Sequence, residues 1–232
     1  MTVTLCEATF MSPVRRSRPI VVAHRGASKA AQENTLEAFA LAGAMGAAMV
    51  ELDVRRATDG ELVVHHDPFV VRPSYAPTLV EALDVCVANG MEVNIEIKNS
   101  QRDPDFDPED SIAAEVVALL RARRDGARML ISSFNPATIA AAHRLDPKLR
   151  TGYLFMKRPL LDTAEVAEAG HVAIHPFDGD VTPALVAQAH ARRLDVNVWT
   201  VDNPSRMREL AAWHVDAIIT NVPDVALKAL AD

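Results

Sequence analysis

After residue 19 the chain alternates short apolar, β-branched runs with longer segments whose apolar residues recur every three to four positions. The short runs, at 20–23, 49–54, 92–97, 129–134, 151–155, 172–177, 196–201 and 217–220, read as buried strands. The segments between them, at 35–48, 78–88, 109–124, 137–145, 163–169, 183–193, 205–214 and 225–230, read as helices packed by one face. Asn135-Pro136, Thr182-Pro183 and Asn203-Pro204 supply a capping side chain followed by a proline suited to a first helical turn. Gly90 and Gly170 fall where a helix ends in left-handed backbone. One further strand-like run, 61–66, follows the turn Asp59-Gly60 and predicts a hairpin appended to the second strand.

About eight strand–helix units are the number that closes a TIM (β/α)8 barrel. An open, doubly wound sheet is the alternative, and it requires a glycine-rich phosphate loop after the first strand. His24-Arg-Gly-Ala-Ser-Lys29 matches that loop poorly, so the α/β barrel is favoured. The 232 residues suit one such domain over 20–232, preceded by an irregular leader over 1–19.

Composition narrows the function classes. A net charge of -7 argues against a nucleic-acid surface, which is normally basic. Cys6 and Cys86 have no metal-ligand spacing and read as ordinary thiols of a reducing compartment. The leader carries Arg15, Arg16 and Arg18 but no apolar stretch typical of a secretory signal. No apolar run is long enough to span a bilayer, so a cytoplasmic location is expected.

The chemistry gathers at predicted strand ends. Residues two apart on a strand share a face, so Glu51 and Asp53 project together, as do Glu96 and Lys98 on the next core strand. Three carboxylates converging at one rim suit a hard divalent cation such as Mg2+ or Ca2+. Any single carboxylate is more often a surface ion pair, but acidic pairs in two consecutive core strands favour the metal, because buried charges are rare unless paired or metal-bound. His24 ends the first strand and His66 ends the hairpin run, and two histidines flanking an acidic cluster suggest a general acid–base pair. Arg25 offers a planar fork for phosphate oxygens. Position along the barrel makes His175 and Trp199 candidate pocket walls. His65 ranks behind His66, and His143, His171, His190 and His214 are background.

The ordered set His24-Arg25-Gly26, Glu33-Asn34-Thr35, Glu51-Leu52-Asp53, His66-Asp67, Pro77-Thr78-Leu79, Glu96-Ile97-Lys98, Trp199-Thr200-Val201 and Ile219-Thr220-Asn221-Val222-Pro223 resembles the glycerophosphodiester phosphodiesterase family. That family comprises metal-dependent TIM-barrel enzymes, and the resemblance covers essentially the whole chain after Pro19. It implies hydrolysis of glycerophosphodiesters to sn-glycerol 3-phosphate and an alcohol, with a small-molecule phosphodiester as the partner. It further implies that Glu51, Asp53 and Glu96 hold the cation and that His24 and His66 exchange protons, His24 as base and His66 as acid. Arg25 and Lys98 would contact the phosphate, with Glu33 supporting the site.

The chain departs from the family in one place. Members usually carry a small subdomain between the His-Asp motif and the Pro-Thr-Leu helix, followed by an Arg-Thr-Thr signature. Here only Pro68 to Ala76 separate Asp67 from Pro77, and the signature is missing. So reduced an insertion predicts an open site. It makes a lysophospholipase-D-like activity on a bulkier lipid the alternative, with a non-catalytic barrel scaffold behind it and another metal-dependent reaction, such as enolisation, ranked third. A homo-oligomeric neighbour could supply a missing wall, although nothing in the sequence shows one.

Overall fold

The structure, a computed structural model, describes residues 17–68, 73–157 and 159–231. Most of the leader, with Cys6, Arg15 and Arg16, lies outside the described residues, as do residues 69–72 of the reduced insertion. The strands are β1 (Ile20–His24), β2 (Met49–Arg56), β3 (Leu62–Val64), β4 (Glu92–Ile97), β5 (Met129–Ser133), β6 (Arg150–Phe155), β7 (Ala173–Pro176), β8 (Asp195–Val198) and β9 (Ala217–Thr220). The helices are α1 (Leu36–Met45), α2 (Leu79–Ala88), α3 (Ser111–Ala122), α4 (Pro136–Leu145), α5 (Thr163–Glu168), α6 (Pro183–Ala191), α7 (Pro204–Ala212) and α8 (Pro223–Ala229).

Eight parallel strands pair in the order β1-β9-β8-β7-β6-β5-β4-β2, and β1 pairs with β2 to close the ring. The result is a TIM barrel, as the strand–helix count predicts. β3 is the expected hairpin strand, pairing antiparallel with the end of β2 at Val54↔Val64. It is shorter than its apolar run, so His66 lies two residues beyond the strand rather than at its end.

Alternation along the strands divides the core in two. Outward residues such as Leu52, Val54, Ile95 and Ile131 are fully buried beneath the helices. Inside the barrel, Val22, Met49, Ala217 and Ile219 form a small apolar plug, with Ile20 and Trp199 packed against it. Parallel strands buried on both faces read as near-continuous hydrophobic runs, which is why they were legible. The predicted caps form as expected: Asn135, Thr182 and Asn203 each accept a backbone N–H of the helix they precede. Thr78 and Glu81 complete a reciprocal capping box on α2. Cys86 is buried on α2, and burial pushes its thiol up to about 12, so it is inert. Among the described residues, no helix is long and apolar enough to cross a membrane.

Candidate active site

β2 turns Glu51 and Asp53 into the barrel mouth, and its register with β4 sets Asp53 beside Glu96. One carboxylate oxygen from each of the three lies within 4.8 Å of the others. All three residues are buried, exposed by only 3 %, 1 % and 7 %. Their charges are not balanced alike. Burial, then the neighbouring Asp53 and Glu96, pushes Glu51 well above the usual carboxylate range. Burial would do the same to Asp53, but Lys98 and then Arg25 overrule it and hold that carboxyl low. Glu96 is raised by burial, with Lys98 partly offsetting it. Glu51 Oε2 accepts the Arg25 backbone N–H at 3.0 Å, whereas Oε1 is buried without a hydrogen-bond partner. An all-oxygen cluster with an orphaned, raised carboxylate fits a divalent cation, because a bound cation would stabilise the ionised form that burial disfavours.

The His24-Arg25-Gly26 turn leaves β1 against this cluster. Arg25 and Gly26 both have left-handed backbone, φ 56° and 84°. At Gly26 a Cβ would stand 2.7 Å from the Ala38 backbone, so only glycine fits. The Arg25 guanidinium spans Glu33, at 2.8 Å, and Asp53, at 3.1 Å. Asn34, buried and at φ 57°, donates Nδ2–H to Asp53 Oδ2 at 2.8 Å.

The opposite end of the chain fixes His24. Asn221, just after β9, donates its amide N–H to Asp202 at 2.7 Å, so its Oδ1 is the acceptor facing His24 Nδ1 at 2.7 Å. His24 therefore carries its proton on Nδ1, and Nε2 stands 3.9 Å from Glu51 Oε2. Burial, then Arg25, lowers the imidazole below its ordinary value, so it is neutral near pH 7 with an open lone pair on Nε2.

On the other flank, Lys98 bonds Glu96 at 2.7 Å and lies 3.5 Å from Asp53. His66 pairs with Asp67 through Nδ1 at 2.6 Å. Its backbone carbonyl accepts Arg55 Nε–H at 2.7 Å. A cavity of about 660 Å3 opens here, with His66, Asp67, Glu96, Lys98 and Phe134 among its walls. Trp199 reaches the rim, edge-on to Phe134 with ring centres 5.4 Å apart. His175 does not. It is 1 % exposed, bonded to Asn197 at 3.1 Å, and fills the space left by Gly152, where a Cβ would stand 2.6 Å from its ring. Burial lowers it to about 3.

The sequence profile of the "Glycerophosphoryl diester phosphodiesterase family" matches residues 24–74 and 70–225. The chain belongs to this family. Its members are phosphoric diester hydrolases. A glycerophosphodiester phosphodiesterase of Caldanaerobacter subterraneus is 28% identical, over 90% of this chain and 97% of its own. Among solved structures, an Oleispira antarctica phosphodiesterase in complex with the product sn-glycerol-3-phosphate superposes with a TM-score of 0.82. It is 27% identical, covering 93% of this chain and 98% of that one. A glycerophosphodiester phosphodiesterase from Parabacteroides distasonis gives 0.81 at 25% identity, covering 92% and 97%.

Within this family site, the sequence marks Phe134, Asp202 and Asn221 only as weak strand-end signals and gives Asn34 no chemical role of its own. A signal existed for each. Asn34 lies inside the Glu-Asn-Thr triplet, and Asp202, Asn221 and Phe134 end or follow predicted strands. What the pattern lacked was which partner each would meet.

Proposed function

We propose that the protein hydrolyses glycerophosphodiesters to sn-glycerol 3-phosphate and an alcohol, with a divalent cation, Mg2+ or Ca2+, held by Glu51, Asp53 and Glu96. The observation that carries this reading is the Asp202–Asn221–His24 chain. It sets an unprotonated imidazole nitrogen beside a buried carboxylate cluster. When bound, the cation supplies Lewis acidity and orientation, offsetting charge that builds on the phosphoryl oxygens.

The chain's own residues do the rest. His24 Nε2 takes the proton of the attacking oxygen, either the adjacent glycerol hydroxyl or water, while Asn221 holds the ring in the required tautomer. His66, hydrogen-bonded to Asp67 through Nδ1, delivers a proton to the departing alcohol. Lys98 faces the cavity and attracts a phosphoryl oxygen, and Arg25 adds positive charge on the β1 side. Glu33 anchors the Arg25 fork, and Trp199 with Phe134 walls the rim. His175 supports the barrel from within. A cytoplasmic location is the setting this reading adopts.

The test is turnover of glycerophosphoethanolamine by the purified protein, followed by release of glycerol phosphate. Activity that chelation abolishes and Mg2+ or Ca2+ restores supports the reading. No turnover with any divalent cation would sink it.

A further inference from the structure

Six large apolar side chains stand exposed among the described residues, and three of them share one cavity. Phe134, Met156 and Leu160, exposed by 37 %, 47 % and 76 %, line the same opening as His66, Glu96 and Lys98. Large apolar side chains gathered at one concave place mark a surface that meets an apolar partner. The facing wall differs. It comes from the loop after β4 and presents Asn99, Ser100 and Arg102. The cavity is therefore two-sided, polar on one wall and apolar on the other.

Its position decides which part of the substrate occupies it. Glu96 and Lys98 are in its floor, so a phosphoryl group held at the acidic cluster extends one ester arm into it. His66 borders this cavity and His24 does not. On the reading above, which this inference rests on, His66 protonates the leaving alcohol. The leaving alcohol is thus the arm that fills the cavity.

We infer that the preferred leaving alcohol is an acylglycerol. Its hydroxyl and ester groups would face Ser100 and Arg102, and its chain would run along Phe134, Met156 and Leu160. The substrate is then a phosphodiester with a free glycerol on one arm and a monoacylglycerol on the other. The P–O bond to the acylglycerol breaks. Water's oxygen ends on phosphorus, and one of its protons, by way of the histidines, ends on the released alcohol. The products are glycerol phosphate and monoacylglycerol.

The experiment compares glycerophosphoglycerol with its mono-octanoyl derivative, both below micelle-forming concentration, with Mg2+ present. A kcat/KM higher by about tenfold for the acylated diester is expected, the gain from burying about two methylene groups. Mass spectrometry should find glycerol phosphate and mono-octanoylglycerol. Equal or lower kcat/KM for the acylated diester, or octanoylglycerol phosphate as product, overturns the inference while leaving the phosphodiesterase reading intact. Failure to cleave either diester overturns that reading itself. Leu160→Ser and Met156→Gln should each shrink the ratio between the two substrates, and a ratio unmoved in both removes the apolar wall from the argument.

Discussion

Asn34 clasps Asp53 at two points: its Nδ2–H donates to Oδ2 at 2.8 Å, and its Oδ1 accepts the Asp53 backbone N–H at 3.4 Å. The clasp orients the one carboxylate of the cluster that Lys98 and Arg25 hold below its ordinary range. Groups that orient metal ligands commonly change affinity by 10–100-fold when removed. Asn34→Gly tests this cleanly, because glycine accepts the left-handed backbone at φ 57° and deletes only the amide. The variant should fold, with affinity for Mg2+ or Ca2+ lower by about 10–100-fold in calorimetric titration. Unchanged affinity would show that Asp53 needs no such support.

His24 and His66 have different partners, and the difference gives them separable kinetic signatures. His24 is partly buried, with Nδ1 committed to Asn221, whereas His66 is more exposed and paired with Asp67. A base acts on every substrate, but an acid matters only when the leaving alcohol needs a proton. His66→Ala should therefore lose about 10²–10⁴-fold on a glycerophosphoalkyl ester and far less on a nitrophenyl ester, whose leaving group departs as an anion. His24→Ala should be comparably damaging on both. Equal losses for His66→Ala on the two esters would take the acid role away from it.

Arg55 links the stability of the rim to the placement of His66. Its side chain is 2 % exposed, and it holds Asp105 through both oxygens, Asp103 at 2.8 Å and the His66 carbonyl at 2.7 Å. Arg55→Met should cost about 2 kcal/mol in urea unfolding, less than fully buried pairs because Asp103 and Asp105 remain about a quarter exposed. It should lower kcat more than it raises KM, and have little further effect in a His66→Ala background. Additive losses would mean that Arg55 acts elsewhere.

The barrel and its acidic cluster were legible because both follow from strand periodicity. Glu51, Asp53 and Glu96 are acidic at interior positions of strands whose helix-facing residues, Val50, Leu52, Val54, Val93, Ile95 and Ile97, are apolar, and strand alternation fixes where such side chains point. His175 follows the same alternation, but alternation is blind to depth. It lies inside the barrel as expected, yet faces Gly152 and Asn197 instead of the opening. The Asn221–His24 bond joins residues 197 apart, and no local pattern encodes that contact. Arg55, near the end of β2, gives no local sign of its role, which is set by the Asp103–Asp105 loop that folds back over it.

Two buried histidines away from the acidic cluster, His171 and His175, make stability depend on pH in a defined window. His171 bonds Thr151 at 2.7 Å and is lowered to about 4, by burial first and then by His143, while burial lowers His175 to about 3. Unfolded histidine titrates near pH 6.5, so below that value the unfolded chain binds protons that the folded chain refuses. The stability these groups contribute is complete above pH 6.5 and is lost as pH falls toward their folded values, by up to about 1.4 kcal/mol per pH unit for each. Glu51 and Glu96 have raised values and act in the opposite sense, so the wild-type slope alone mixes the two. Subtracting His171→Asn from wild type isolates one histidine, since the acidic cluster is common to both proteins. Urea unfolding at intervals from pH 7 to pH 4.5 should show wild type losing stability faster on acidification than the variant. Parallel curves would mean that His171 is protonated in the folded protein after all.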